Sequence, residues 1–563
     1  MDKIRFALWF GLLASVWGSY MVWVGENRPE MPPAETQQVE APGPTDSSAV
    51  EEQSGLPAVG DDEVPAVGDT GANVPPPTQE AAASAPRRPV TVKTDVLDLV
   101  INLDGGDIVR ADLPEYPVDK SNPNLPVRML DYTPEHLWIF QTGLTSRRGT
   151  PAPNHQASFT ADRDSYVLGD GSDTLEVHLT WSGPNGLSAE KIYTFRRGDY
   201  SIDLDLVVHN NGTEPWQTRA YAQMRRLHNP APRKYMHVDT YSFTGPVLYD
   251  GSSRQKIRFQ DLVGNPIEQT VADGWVASIE HHFLAAIVPL TDEPTTYEAE
   301  AVSSDTYLLQ AASPTETVAP GSEWRYPVRL FVGPKLHTQL SAAAPGRDLT
   351  LAIDYRWLTV LAQPLFYLLN FVHGFVKNWG LAIILTTLLI KLAFYKLTAT
   401  SGRSMAKMRK LAPRMKALQE KHKDDRQALS QAMMELYKRE KVNPAAGCLP
   451  ILIQMPFFFA FYWVLIESVE MRQAPFVFWI QDLSVRDPFY ILPALMAIAM
   501  LFQMRLNPTP PDPVQARVTQ IMPLLFAGLV AFFPSGLALY SLTNTVSSIA
   551  QQWRINHLVS KES

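Results

Sequence analysis

The sequence predicts a multidomain membrane protein, a six-span α-helical bundle with a helical hairpin joined to a large antiparallel β-sandwich. Three observations lead there. Six apolar runs approach the roughly 20 residues that a helix needs to cross a bilayer. One strongly basic stretch separates two of them, and the long segment between the first two runs alternates apolar and polar side chains.

The first run, within residues 1–26, follows Lys3 and Arg5 and continues through Tyr20, Met21, Val22, Trp23 and Val24. It passes any convincing A-x-A site, which predicts an uncleaved transmembrane anchor rather than a signal peptide. Residues 27–88 are rich in Pro, Ala and acids and poor in aromatics. Such a composition buries too little apolar surface to offset ordering entropy and predicts a disordered linker.

Residues 89–340 change to short alternating strands. In "YSIDLDLVVHNNGTEPW", Ile202, Leu204, Leu206 and Val208 occupy alternate positions and Asn211-Gly212 turns the chain. Similar runs at "VLDLVINLDGG", "KIYTFRRG", "FLAAIVPL" and "WRYPVRLFVG" predict the β-sandwich. Asp203 and Asp205 form a carboxylate pair, but alternation puts them opposite the apolar face, where solvated acids are ordinary. His281 and His282 are expected on opposite faces of a strand, without metal-ligand spacing to a third residue. The chain carries no nucleotide loop, nucleophile elbow or zinc motif, and its lone cysteine, Cys448, has no partner for a disulfide.

Residues 355–377, "YRWLTVLAQPLFYLLNFVHGFVK", place apolar side chains at helical spacing with polar ones interspersed. This predicts an amphipathic helix lying in the membrane interface, with Pro364 starting or kinking it. Further spans are expected at 379–398, 447–466, 489–506, 518–533 and 537–555. The net charge of −9 hides an acidic soluble part and a basic stretch at 401–443. By the positive-inside rule that stretch and both termini are cytoplasmic and the sandwich lies outside, and the charges of the remaining loops satisfy six spans.

Within 401–443, Leu411 and Leu418 stand a heptad apart, as do Leu429 and Leu436, while "HKDDRQ" offers Asp424 or Asp425 as an N-cap. A basic two-helix hairpin follows. Met405, Met408, Met415, Met433 and Met434, with Arg409, suggest a soft partner surface. The alternative is a plain solvated hairpin.

The spans carry few polar residues. Thr387 and Lys391 share one helical face, Tyr540, Asn544 and Ser548 share another, Gln454 lies in the third span and Gln503 late in the fourth. Converging faces would enclose a wet, positively charged groove. Otherwise Lys391 snorkels towards the cytoplasm, since a charge at the centre of a bilayer costs roughly 2.5–3.5 kcal/mol.

The text "EKVNPAAGCLPILIQMPFFFAFYWVLIESVEMRQAPF", with "SMAKMRKLAPRMKAL", "DPFYILPALMAIAM" and "FPSGLALYSLTN", resembles the YidC family of bacterial membrane protein insertases, in its long Gram-negative form. The resemblance spans about Tyr355 to Trp553. It implies multi-pass location in the bacterial inner membrane, a periplasmic sandwich, and no enzyme activity, cofactor, metal or nucleotide. It also implies a groove open to cytoplasm and lipid that accepts the hydrophilic segments of nascent membrane proteins. Implied partners are those nascent proteins, the Sec translocon, ribosome–nascent-chain complexes and the lipid bilayer, with no sequence-specific nucleic-acid binding.

The expected groove residues are Thr387, Lys391, Gln454, Gln503, Tyr540 and Asn544. The family's groove charge is usually arginine; Lys391 keeps the charge but loses the bidentate fork. Lys396 falls where many relatives have proline, and the short tail after Trp553 weakens the case for a strong ribosome-binding extension. Two rivals stand beside this reading. One is an ion- or proton-coupled solute transporter using Lys391, although the spans show no internal repeat. The other is a membrane-anchored carbohydrate-binding or carbohydrate-modifying sandwich.

Overall fold

A computed structural model describes residues 89–146, 150–229, 242–422, 425–440, 449–506 and 513–561. The anchor expected at 1–26, the linker at 27–88 and Cys448 lie outside the described residues.

Alternation builds the sandwich. On the strand Ser201–Asn210, Ile202, Leu204, Leu206 and Val208 are at most 2 % exposed. Asp203 faces the other way and binds Arg196 and Arg329, while Arg325 lies 3.6 Å from Asp205. These acids are ion-paired surface residues. Two sheets of eleven and nine strands carry such faces, and after Asn211-Gly212 the chain passes from the nine-stranded sheet to Trp216–Leu227 in the other. Among the described ladders only Pro89–Lys93 with Ser165–Val167 runs parallel.

His281 and His282 depart from expectation. They do not alternate along a strand but occupy the connection between Trp275–Ile279 and Phe283–Pro289, with their rings stacked 3.8 Å apart. A turn has no two-residue period, so their side chains are free to meet.

A buried polar bolt joins the sheets. Lys191, on the strand Leu187–Arg196, donates to the carbonyls of Gly105 at 2.5 Å and Thr142 at 2.6 Å and to Thr142 Oγ1 at 2.8 Å. Asp107 lies 3.7 Å away and accepts the Thr142 N–H. Burial pushes both charged groups towards neutrality, and their mutual attraction opposes it.

Helices follow the sandwich. After a single turn α1 (Phe259–Leu262), they are α2 (His337–Ala343), α3 (Thr359–Val376), α4 (Trp379–Ala393), α5 (Tyr395–Lys421), α6 (Arg426–Arg439), α7 (Leu449–Glu467), α8 (Ile491–Leu506), α9 (Pro513–Val530) and α10 (Ser535–Lys561). Helices α3, α4, α7, α8 and α10 share one apolar core, which continues into the sandwich. Their outward faces are apolar too: Leu388, Leu392, Ile498, Val546 and Phe371 are all at least 43 % exposed. A helix apolar on both faces suits lipid rather than water.

By length and apolarity, Arg356–Val376 is the one helix among the described residues able to cross a membrane; Trp379–Ala393 with Tyr395–Ser404 makes a second if the pair counts as one span. The span expected over 379–398 is bent by 65°. The bend sits at Phe394, whose non-helical backbone ends α4.

Helix α3 lies across the end of the bundle. At its start Arg356 stacks over Trp463, near the carboxyl end of α7, at 4.4 Å. Just beyond its other end, Asn378 Nδ2 donates to the Phe476 carbonyl, in the loop after α7, at 3.1 Å. An 18-residue helix spans about 27 Å, yet both ends meet the same end of the bundle. Gly380 permits this approach, because a Cβ there would lie 2.1 Å from the Phe476 ring.

The tip of the hairpin formed by Asp107–Asp119 and Asn122–Leu130 rests on the same loop. Lys120 Nζ donates to the Gln481 carbonyl at 2.9 Å, and Arg472 and Gln473 both donate to the Pro117 carbonyl. Glu470 lies beneath, near Tyr116 and Tyr355, and burial pushes its carboxyl up to about 7.

Two stability predictions follow from these groups. Lys191→Met should cost about 3–5 kcal/mol by leaving Asp107 buried without a counter-charge, and Lys191→Met with Asp107→Asn should cost less; unfolding followed by tryptophan fluorescence checks this. For Glu470, the folded value exceeds the ordinary 4.5, so its contribution is intact below pH 4.5 and is lost as pH rises through about 7. Glu470→Gln should therefore stabilise the protein at pH 8, by at most about 3 kcal/mol, and leave it unchanged at pH 4, as a pair of thermal melts would reveal.

Candidate functional site

Helices α4, α7 and α10 converge on one small cavity. It is lined by Thr387, Ile390, Lys391 and Phe394 from α4 or its end, Gln454, Phe457 and Phe458 from α7, and Tyr540 and Asn544 from α10. At about 30 Å³ it has room for water, which needs about 10–15 Å³ on this measure. Five of the six groove residues expected from sequence meet here. Gln503 does not; it is half-buried on α8.

The ammonium of Lys391 is held by neutral oxygens. Its Nζ donates to Ser548 Oγ at 2.8 Å and to Gln454 Oε1 at 3.4 Å. Ser548 donates its own hydroxyl hydrogen bond to the Asn544 carbonyl one turn earlier, and Gln454 Nε2 reaches Thr398 Oγ1 at 3.4 Å. Among the described residues no carboxylate pairs with Lys391. The charge is thus solvated by dipoles, and one ammonium hydrogen has no protein acceptor among these contacts. Such a site attracts an incoming carboxylate without having to displace a resident one.

The remaining lining is aromatic. Tyr540 is 7 % exposed and packs between Phe461 at 4.8 Å and Phe458 at 5.6 Å. Thr387 is 2 % exposed and returns its hydroxyl to the Ile383 carbonyl at 2.6 Å, so its lone proton is already used. Sequence reasoning missed the aromatic wall, because Phe394, Phe457 and Phe458 are indistinguishable in sequence from lipid-facing neighbours. Ser548 was visible, being one turn after Asn544, but its place as the nearest acceptor depends on how α10 meets α4.

Beyond the bend, α5 first crosses α10 and then pairs with α6. Gly402 allows the crossing, with Ile555 Cδ1 only 2.8 Å from where a Cβ would stand. Asp425 caps α6 by accepting the N–H groups of Gln427 and Ala428, each at 2.9 Å. The hairpin expected over 401–443 thus takes in α5 from Tyr395, while residues 441–443 lie outside the described residues.

Met408, Met415 and Met433 are drawn inward between the two helices. Leu411, Met415 and Leu436 form a small core between α5 and α6, with Met408, Leu418, Met433 and Tyr437 packed against it. Met434 is half-buried; the side chains of Met405 and Arg409 lie outside the described residues. Beyond the crossing with α10, the two helices spend their apolar residues on each other. Met415→Gln should accordingly loosen the hairpin by about 1–3 kcal/mol, the cost of an ill-paired buried amide, seen as faster proteolysis between α5 and α6 with the rest of the protein intact.

Comparison with known proteins covers nearly the whole chain. The family model described as "60Kd inner membrane protein" matches residues 371–562, and that described as "YidC periplasmic domain" matches residues 89–368. A protein of Thioalkalivibrio sulfidiphilus named "Membrane protein insertase YidC" is 44 % identical over 570 aligned residues, covering 100 % of this chain and 99 % of the relative. A protein of the same name from Alkalilimnicola ehrlichii is 48 % identical, covering 83 % of each chain. A solved structure, "Active YidC insertase crystal structure with the first transmembrane domain resolved", is 21 % identical, covers 83 % of this chain and 92 % of its own, and has a TM-score of 0.38.

Proposed function

Because the chain belongs to the YidC family of membrane protein insertases, we propose that it moves hydrophilic segments of nascent inner-membrane proteins past lipid through the site around Lys391. One observation carries this reading: among the described residues the Lys391 ammonium, set between apolar helices, is held by Ser548 and Gln454 without a carboxylate partner. A polar segment entering there exchanges bulk water for fixed dipoles and one positive charge, which lowers the cost of leaving water. Acidic residues gain most. A membrane potential positive outside adds about 2.3 kcal/mol per charge per 100 mV for a full crossing.

On this reading the bundle has six spans, counting the anchor at 1–26, with both termini and the basic hairpin cytoplasmic and the sandwich periplasmic. Helix α3 lies in the outer interface, an assignment supported by its two ends meeting the same end of the bundle and by exposed Trp357, Phe371 and Phe375. No covalent step is required, so neither a nucleotide nor a metal has a part. The hairpin is where ribosome–nascent-chain complexes or the Sec translocon would approach, through its charged outer face rather than its methionines.

Two measurements test the proposal. With Cys448 replaced by serine, Thr387→Cys should react with a membrane-impermeant thiol reagent from the cytoplasmic side; an unreactive thiol means that the site is closed to water. Lys391→Arg should hold insertion within about twofold, whereas Lys391→Glu should lower insertion of clients with acidic translocated segments by about tenfold or more, through like-charge repulsion at reduced dielectric. Purified protein in vesicles should insert such clients without ATP, while a coupled transporter would move a solute instead.

A further inference from the structure

Helix α7 contributes Gln454, Phe457 and Phe458 to the cavity, and it ends in a carboxylate, Glu467. That residue is out of place in the helix alone. A negative charge at a helix carboxyl terminus opposes the macrodipole, and α7 carries no cation to offset it. The explanation lies in the sandwich. Lys335, directly after the strand Ser322–Pro334, donates to Glu467 Oε2 at 3.0 Å, and Ser242 Oγ donates to Oε1 at 2.7 Å. The two charged side chains are 1 % and 2 % exposed. Next to them His281 Nε2 donates to the Ile466 carbonyl at 2.9 Å, satisfying one of the carbonyls left open where α7 stops. The Lys335 N–H in turn is fixed by the His282 carbonyl at 2.9 Å.

From this arrangement we infer that Lys335 and Glu467 are positioning residues for the cavity: the sandwich holds α7 by its charged end and so sets where Gln454, Phe457 and Phe458 stand. A buried ion pair contributes little net stability, but losing one partner is costly because the other charge is left unpaired. Such a pair works as a register pin. It permits one seating of sandwich on bundle and penalises every other. Gln454 lies 13 positions before Glu467, on a single helix, so a shift at the pinned end is carried to the Lys391 site. The placement of α7 stands on its own; only its consequence for insertion rests on the function proposed above.

The test uses the full chain in lipid nanodiscs. Glu467→Gln and Lys335→Met should each speed hydrogen exchange of α7 amides between Phe457 and Glu467 by about tenfold or more, and each should reduce insertion. The exchanged pair Lys335→Glu with Glu467→Lys should return both towards the parent, since a lysine at 467 suits the helix terminus. A contact that acted through packing alone would not be rescued by reversing its charges. Unchanged α7 exchange in the single variants overturns the proposal, as does an exchanged pair no better than either. If the single variants do not accumulate in the membrane, accumulation of the exchanged pair supports the pin and its absence refutes it. Faster exchange with full insertion activity refutes the functional half. Failure of the groove reading is registered separately, by the Thr387→Cys thiol in an otherwise parental protein.

Discussion

An ammonium group placed among apolar helices must be solvated by the protein, and the arrangement of the bundle follows from meeting that demand at Lys391. No single helix can do it. Oxygens on the same helix are already committed, as Thr387 is to Ile383, so the acceptors come from α7 and α10, and these must approach α4 closely enough to reach one nitrogen. The crossing of α5 over α10 at Gly402 keeps the far end of α10 in place, and the sandwich fixes the near end of α7. Polar contacts few in number thereby specify a geometry that apolar packing alone would leave loose, because one apolar helix face fits another in many registers.

Much of this was legible in the sequence because it rests on local periodicity. The alternation of Ile202, Leu204, Leu206 and Val208 located a sandwich strand and correctly consigned Asp203 and Asp205 to its polar face. The one-turn spacing of Thr387 with Lys391, and of Tyr540 with Asn544, put them on common faces, and these faces do meet. The Asp425 cap was readable from its own side chain and the two residues after it.

What could not be read involves pairs with no local pattern. Lys335 and Glu467 stand 132 positions apart, and although a lone acid closing an apolar helix was visible, nothing in the sequence pointed to its partner. Gln503 looked equivalent to Gln454, yet only one of the two helices presents its amide to the cavity. The methionines of the hairpin were only partly legible for a related reason: composition reports that Met408, Met415 and Met433 are soft and apolar, and only packing reveals that they meet between the two helices. The two histidines fell at a turn, where the strand period from which they were read does not apply.

The contact between Lys391 and Ser548 also has a consequence in time. The two residues are separated by 157 positions along the chain, and a ribosome working at roughly 5–20 residues per second needs on the order of 10–30 s to make that length. Throughout that interval α4 can already have left the ribosome while the helix that solvates its lysine does not yet exist. Each new copy therefore spends part of its own synthesis with an unsheltered charge among apolar helices, the same difficulty that the proposed function would relieve in other chains.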